Sequence, residues 1–195
     1  VVALKPLTTE ILPGEMTVLI GSSGAGKSTL LRSLNHLNIP TTGTIKIEGL
    51  GDLSDKKTLR QHRRKTGFIF QQHQLIGRQI VLKNVLLGRL GYHGFFRTLF
   101  PYSQNEVKLA LECLERVSLL EKAFERVDNL SGGQMQRVGI ARTLAQEPKV
   151  ILADEPVASL DPSAARRVLS LLYDICREDG MPVVVSLHQV EYARQ

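Results

Sequence analysis

The chain has 195 residues, 43% of them hydrophobic and 23% charged, with a formal net charge of +6. This is the size and make-up of one globular domain with a sizeable core, which excludes disordered, collagenous and disulfide-stapled classes. Every apolar run is too short to span a bilayer, so a membrane role is expected to run through a partner.

The charge is uneven. Residues 1–100 hold 14 Lys/Arg against 5 Asp/Glu, and residues 101–195 hold 11 against 14. Much of the excess lies in Lys56, Lys57, Arg60, Arg63, Arg64 and Lys65. Such a run could touch nucleic acid or phospholipid. No stacking aromatics are interleaved with it, so a solvated helix face is expected and nucleic acid is not. Cys113 and Cys176 stand far apart with no second Cys or His at metal spacing, and are read as idle thiols.

In chain order, Thr17–Ile20 predicts a buried strand, and residues Ser28–Leu37 carry apolar positions at helical spacing. Thr44–Glu48 alternates with period two and predicts an antiparallel strand. Lys56–Lys65 predicts an exposed helix, and Thr66–Phe70 another buried strand that delivers Gln71 at its end. From His73 to Asn129 strand signals disappear. Val81–Leu90 and Glu106–Val117 have helical spacing, which suggests a helical insertion in an α/β core. Strands resume at Val150–Ala153 and Val183–Leu187. Apolar runs separated by helices argue for a mainly parallel sheet covered on both faces.

Between the first strand and the first helix lies the pattern Gly-x-x-x-x-Gly-Lys-Ser, filled by Gly21, Gly26, Lys27 and Ser28. Glycines let backbone N–H groups converge on one anion, and the helix N-terminus adds partial positive charge. Lys27 can then reach β- and γ-phosphates while the Ser28 hydroxyl ligates Mg²⁺. The bland reading, a Gly-rich turn before an ordinary helix, leaves the matching strand and helix as coincidences. The other strands also end in isolated polar residues: Gln71, Asp154-Glu155 and His188. In open α/β sheets, ligands bind beyond the carboxyl ends of the strands. Asp154 suits a carboxylate that holds Mg²⁺, and Glu155 suits a group that orients water against a γ-phosphate. His188 could hydrogen-bond that phosphate, or merely satisfy a local partner. Ser131, Gly132, Gly133 and Gln134 open another helical run. They are either a capping box or a second anion-binding helix end. Asp161 before Pro162 reads as a helix N-cap.

Leu130–Gln134 (LSGGQ), with the Gly21–Ser28 loop before it and Ile151–Pro156 (ILADEP) after it, resembles the nucleotide-binding domain of ATP-binding-cassette (ABC) proteins. The resemblance covers essentially the whole chain. It implies a P-loop NTPase of the α/β class: a RecA-like, mainly parallel sheet with helices on both faces, an antiparallel β piece and an inserted helical subdomain. The core is then residues 1–71 and 137–195, the subdomain residues 72–136, and the chain a fragment trimmed at both ends. The aromatic residue that stacks on adenine in the family is expected just before Val1.

The same resemblance implies ATP and Mg²⁺ as cofactors. ATP is expected on Gly21, Ser22, Ser23, Gly24, Ala25, Gly26, Lys27, Ser28 and Thr29, and the metal on Ser28, Asp154 and Gln71. Gln71 matches the Q-loop glutamine that faces the membrane partner, Glu155 the catalytic glutamate and His188 the switch histidine. Ser131–Gln134 match the signature motif that closes on ATP held by a second copy, and Ser159, Leu160 and Asp161 the D-loop at that interface. The segments Gly67–Leu75, Asn84–Phe100 and Ser186–Ala193 look most like phosphonate-import ATPases. The expectation is therefore an ABC importer subunit, a head-to-tail homodimer on the cytoplasmic face of the membrane. It would be held by permease subunits and serve a periplasmic or surface solute-binding protein indirectly. Alternatives are an importer ATPase for a related oxyanion (phosphite or a phosphate ester), or a soluble ABC ATPase acting on nucleic acid or ribosomes. Five of the ten aromatics, Tyr92, Phe95, Phe96, Phe100 and Tyr102, fall in the insertion, either as packing or as a partner-facing surface.

Overall fold

The computed structural model describes residues 3–94 and 100–188. Strand β1 (Met16–Ile20) leads into α1 (Lys27–Leu34), then a short hairpin of β2 (Lys46–Ile47) and β3 (Gly51–Asp52). Helix α2 (Lys56–Lys65) and strand β4 (Thr66–Ile69) come next. Helices α3 (Val81–Leu86) and α4 (Gln104–Arg116) precede α5 (Gly132–Ala145), β5 (Val150–Asp154), α6 (Pro162–Asp179) and β6 (Val183–Leu187). No helix among the described residues is long and apolar enough to cross a membrane.

Among the described residues, four strands form one parallel sheet in the order β1-β6-β5-β4. The continuous apolar runs, β5 and β6, take its centre, where both faces must be covered. Alternation sorts their side chains between two cores. Ile151, Ala153, Val183, Val185 and Leu187 enter a large cluster shared with α3–α6, while Leu152 and Val184 meet Leu31 of α1 on the other face. Asp154 and Ser186 have the parity of Leu152 and Val184 and are paired in register, so both come to the α1 face. The pleat thus delivers two polar side chains to the phosphate loop.

The large cluster runs from the sheet through α5 into α3 and α4, which joins the helical insertion to the core. The 3₁₀ turn over residues 87–92 belongs to this junction. The spacing predicts a helix over Val81–Leu90, but α-helical bonding stops at Leu86. At Gly88 the backbone lies so close to α5 that a Cβ would collide with the Arg142 carbonyl. Tyr92 is packed here: Arg64, Lys65 and Arg89 surround its ring, and its hydroxyl donates to the Gln146 carbonyl (2.9 Å). Tyr102 packs against the large cluster. Phe100 is exposed, and Phe95 and Phe96 lie outside the described residues.

Other elements differ from the sequence expectation in detail. Strand β1 is half-buried because it forms an edge of the described sheet. Of Thr44–Glu48, only Lys46 and Ile47 pair with β3. Helix α1 ends at Leu34 rather than Leu37, because His36 adopts φ 53° and the Leu37 N–H turns back to Arg32 O (2.8 Å). Helix α2 matches its predicted span, capped by the Asp55 side chain. It is not solvated all round, since His62 is buried and donates Nε2–H to Leu34 O (2.9 Å). Burial pulls the His62 pKa below its ordinary value, against the hydrogen bond to Leu34. Both cysteines are buried and free, and burial pushes Cys113 up to about 11, which suits an unreactive thiol.

Candidate nucleotide site

Because the four strands run parallel, their carboxyl ends share one edge of the sheet. There β1 gives way to the loop Gly21–Gly26, and Lys27 opens α1. Gly26 holds φ 88° as the helix N-cap, a left-handed backbone that L side chains rarely adopt, and no side chain caps the helix. The first-turn amides of α1 are therefore left without a side-chain acceptor, which is the arrangement that receives phosphate oxygens. Lys27 is buried and lies along the loop. Its ammonium donates to Gly21 O (2.8 Å) and Ser22 O (3.1 Å) and stands 3.8 Å from Glu155 Oε1. Ser22, Ser23, Gly24 and Ala25 are exposed, and Ser28 and Thr29 are half-buried.

The Ser28 hydroxyl donates to Asp154 Oδ1 (2.7 Å), so two hard oxygen donors stand side by side. Asp154 is only 4% exposed, yet it is not isolated. Ser186 Oγ donates to the same Oδ1 (3.0 Å) and Arg32 Nη2 lies 3.9 Å from Oδ2. Glu155, next in the chain, holds φ 49° and donates its N–H to Ser186 Oγ (2.9 Å). One serine thus fixes both the carboxylate and the strained residue that follows it. Glu155 Oε1 in turn lies 2.6 Å from His188 Nε2, just beyond β6. Gln71 is exposed, two residues past the last paired residue of β4.

Ser131–Gln134 are elsewhere. Together with Ser159, Leu160 and Asp161 they line a separate concavity of about 170 Å³, and no residue of Gly21–Thr29 contributes to its wall. Both bland local readings hold. Ser131 and Gln134 form a capping box at the start of α5, and Asp161 caps α6 through the Ser163 and Ala164 amides. Neither excludes a second role, because the capping box leaves the Gly132 and Gly133 amides uncapped by side chains. Sequence reasoning brought out Lys27, Ser28, Asp154, Glu155 and His188, and the fold gathers them. It did not bring out Ser186 or Arg32. The lone hydroxyl in the run VVVSL, two places after Val184, was the available signal.

A family model described as ABC transporter matches residues 4–158. The chain belongs to that family. Among relatives, the phosphonates import ATP-binding protein PhnC 3 of Nostoc sp. is 59% identical over 192 residues, 98% of this chain and 73% of its own length. The phosphonates import ATP-binding protein PhnC 1 of Trichodesmium erythraeum is 61% identical, over 99% of this chain and 77% of its own. The phosphite import ATP-binding protein PxtA of Stutzerimonas stutzeri is 60% identical, over 100% and 70%. Among solved structures, a dimeric ATP-binding cassette in a post-hydrolysis state, bound to ADP and Pi, matches with TM-score 0.82 and 40% identity. It covers 98% of this chain and 82% of its own. This ABC domain is thus a nucleotide-binding P-loop ATPase, and its parallel sheet, short antiparallel hairpin and helices are those of the cassette fold.

Proposed function

We propose that the chain is the ATP-hydrolysing subunit of an ABC importer for phosphonate-type anions, working as a head-to-tail dimer beneath a membrane permease on the cytoplasmic side. The observation that carries the catalytic part is the convergence of Lys27, Ser28, Asp154, Glu155 and His188 at one end of the sheet. Lys27 and the loop amides bind and orient the triphosphate. Ser28 and Asp154, with Gln71 at the neighbouring strand end, suit Mg²⁺, which takes few protein oxygens and shares phosphate oxygens. When bound, the metal neutralises charge developing on the phosphates. Glu155 accepts a hydrogen bond from the attacking water, and His188 holds the Glu155 carboxylate in place.

Two observations support the dimer. The concavity lined by the Ser131–Gly133 helix end holds no residue of the Lys27 loop, and a dimeric cassette is among the similar structures. A second copy turned head to tail would bring each half-site to the other. For the permease, a groove of about 730 Å³ lies between α2, β4 and the insertion, near Gln74. Lys56, Arg60 and Arg64 line it around an apolar floor of Phe68, Phe70 and Leu87, and no Asp or Glu among the described residues does. That surface suits an apolar segment with acidic ends. We assign the ATPase core to residues 1–71 and 137–195 and the inserted subdomain to residues 72–136.

The transported solute follows from the relatives named for phosphonates. The relative named for phosphite, at similar identity, supports phosphite as the second reading. The test is growth of the source cell, deleted for this protein, on a phosphonate or phosphite as sole phosphorus source. The intact protein restores growth on the transported anion and Lys27→Ala does not. Undiminished growth of the deletion strain on both anions overturns the reading.

A further inference from the structure

Three observations meet on the segment that follows Gln71. His73 Nε2 donates to the carbonyl of Gly132 (3.0 Å), the first residue of α5, across 59 positions of sequence. Arg142, ten residues further along the same helix, donates to Gln74 O (2.8 Å) and to His73 O (3.1 Å). Gln74 itself holds φ 47°, a left-handed conformation that is unfavourable for a side chain with a Cβ. Backbone of this kind persists where its surroundings over-determine it, and two guanidinium hydrogen bonds do so here. Burial pulls the Arg142 pKa down from its ordinary value, and its guanidinium spends a hydrogen bond on each of these two carbonyls. The segment after Gln71 is therefore attached to α5 at two points, one at the helix start and one near its end.

We propose that His73 is a positioning residue that couples the two ATP sites of the dimer. This rests on the reading above, in which Gln71 serves the chain's own ATP and Ser131–Gly133 the partner's. Gln71 is two residues from His73, and Gly132 sits between Ser131 and Gly133. Helix α5 is packed along its length into the large cluster. A shift of Gln71 on nucleotide binding is passed through the His73 ring to Gly132, and Arg142 keeps the segment from yielding instead. Occupancy of one site thus sets the position of the group that completes the other. The imidazole suits this because Nε2–H is a directed donor on a stiff ring. The carbonyl acceptor fixes that nitrogen as the protonated one.

The test is the ATP dependence of hydrolysis by the dimer, for the intact protein, His73→Ala, His73→Gln and Ser131→Arg. The intact protein gives a sigmoidal curve, and His73→Ala brings the Hill coefficient down to about 1, the value for uncoupled sites. Its half-saturating ATP rises about 5-fold or more, the lower end of ordinary coupling. Binding of a non-hydrolysable ATP analogue to the dilute monomer stays unchanged, which a general loss of fold would not allow. His73→Gln, whose amide donates at similar reach, retains the sigmoidal curve. An intact protein without cooperativity, or a His73→Ala curve like that of the intact protein, overturns the coupling. Ser131→Arg separates the two readings. If it leaves hydrolysis untouched, the trans-site reading fails. If it abolishes hydrolysis while His73→Ala keeps full cooperativity, only the His73 link fails.

Discussion

Glu155 carries two burdens, a left-handed backbone and a carboxylate held between Lys27 and His188. Replacing it with glutamine keeps the volume and the backbone demand but removes the group that accepts a proton. Glu155→Gln should keep ATP binding, lose about 10²-fold or more in turnover, and accumulate as an ATP-bound dimer on gel filtration. Hydrolysis near the normal rate would contradict the assignment. Ser186 is the support beneath it. Its buried hydroxyl accepts from the Glu155 N–H and donates to Asp154, so Ser186→Ala leaves an amide without its partner. That should cost about 1–3 kcal/mol, read from urea unfolding, and lower the turnover rate more than ATP affinity. The two residues differ in how visible they are in sequence. Glu155 follows an apolar run that ends in acids, a local pattern. Ser186 matters only because the β5–β6 register sets it beside Asp154, a pairing formed across 32 positions.

At the scale of elements, Ser131 has both a structural and a functional role to separate. As the N-cap of α5 it holds the Gln134 N–H (3.3 Å), and aspartate caps a helix about as well as serine. A carboxylate there would, however, repel an arriving phosphate. Ser131→Asp should therefore keep unfolding stability within about 0.5 kcal/mol, the scatter of good caps, while ATPase activity falls at least 10-fold. Equal loss of both would make Ser131 only a cap. Helix α2 allows a pH test. His62 is buried with its pKa below the ordinary value, chiefly by desolvation, so the unfolded chain takes up its proton first on acidification. The stability His62 provides is fully present above the unfolded pKa of about 6.5 and is lost as pH falls through the lower folded pKa. Urea unfolding from pH 7 to pH 5 should show a smaller decline in His62→Gln than in the intact protein. Strands β5 and β6 and helix α2 were legible because local pattern and tertiary role agree in them. The end of α3 was not, since the 3₁₀ turn depends on how closely α5 passes Gly88.

At the scale of the whole molecule, one chain holds two unlike half-sites that do not meet. The Lys27 loop lies at the strand ends, and the Ser131–Gly133 helix end lines its own concavity with the Ser159–Asp161 turn. Spacing alone could place both motifs but not their separation, because the start of α5 lines a concavity with the Ser159–Asp161 turn rather than with the Lys27 loop. If the halves are completed between copies, two inactive variants can repair each other. Lys27→Ala homodimers lack both phosphate loops, and Ser131→Arg homodimers lack both helix ends, so each preparation alone should be inactive. A mixed dimer has one dead site with both lesions and one intact site, formed by Lys27 of one copy and Ser131 of the other. Random mixing in equal amounts makes about half of the dimers mixed, so about a quarter of all sites are restored. Hydrolysis should therefore rise from the background of either variant on mixing and reach at most about a quarter of the intact rate, lower still if both sites must fire together. If ATP were handled within one chain, every chain in the mixture would carry a lesion and no activity would return. The measurement is steady-state phosphate release across mixing ratios. A maximum near equal amounts supports composite sites, and a flat line at background places the whole reaction inside a single copy.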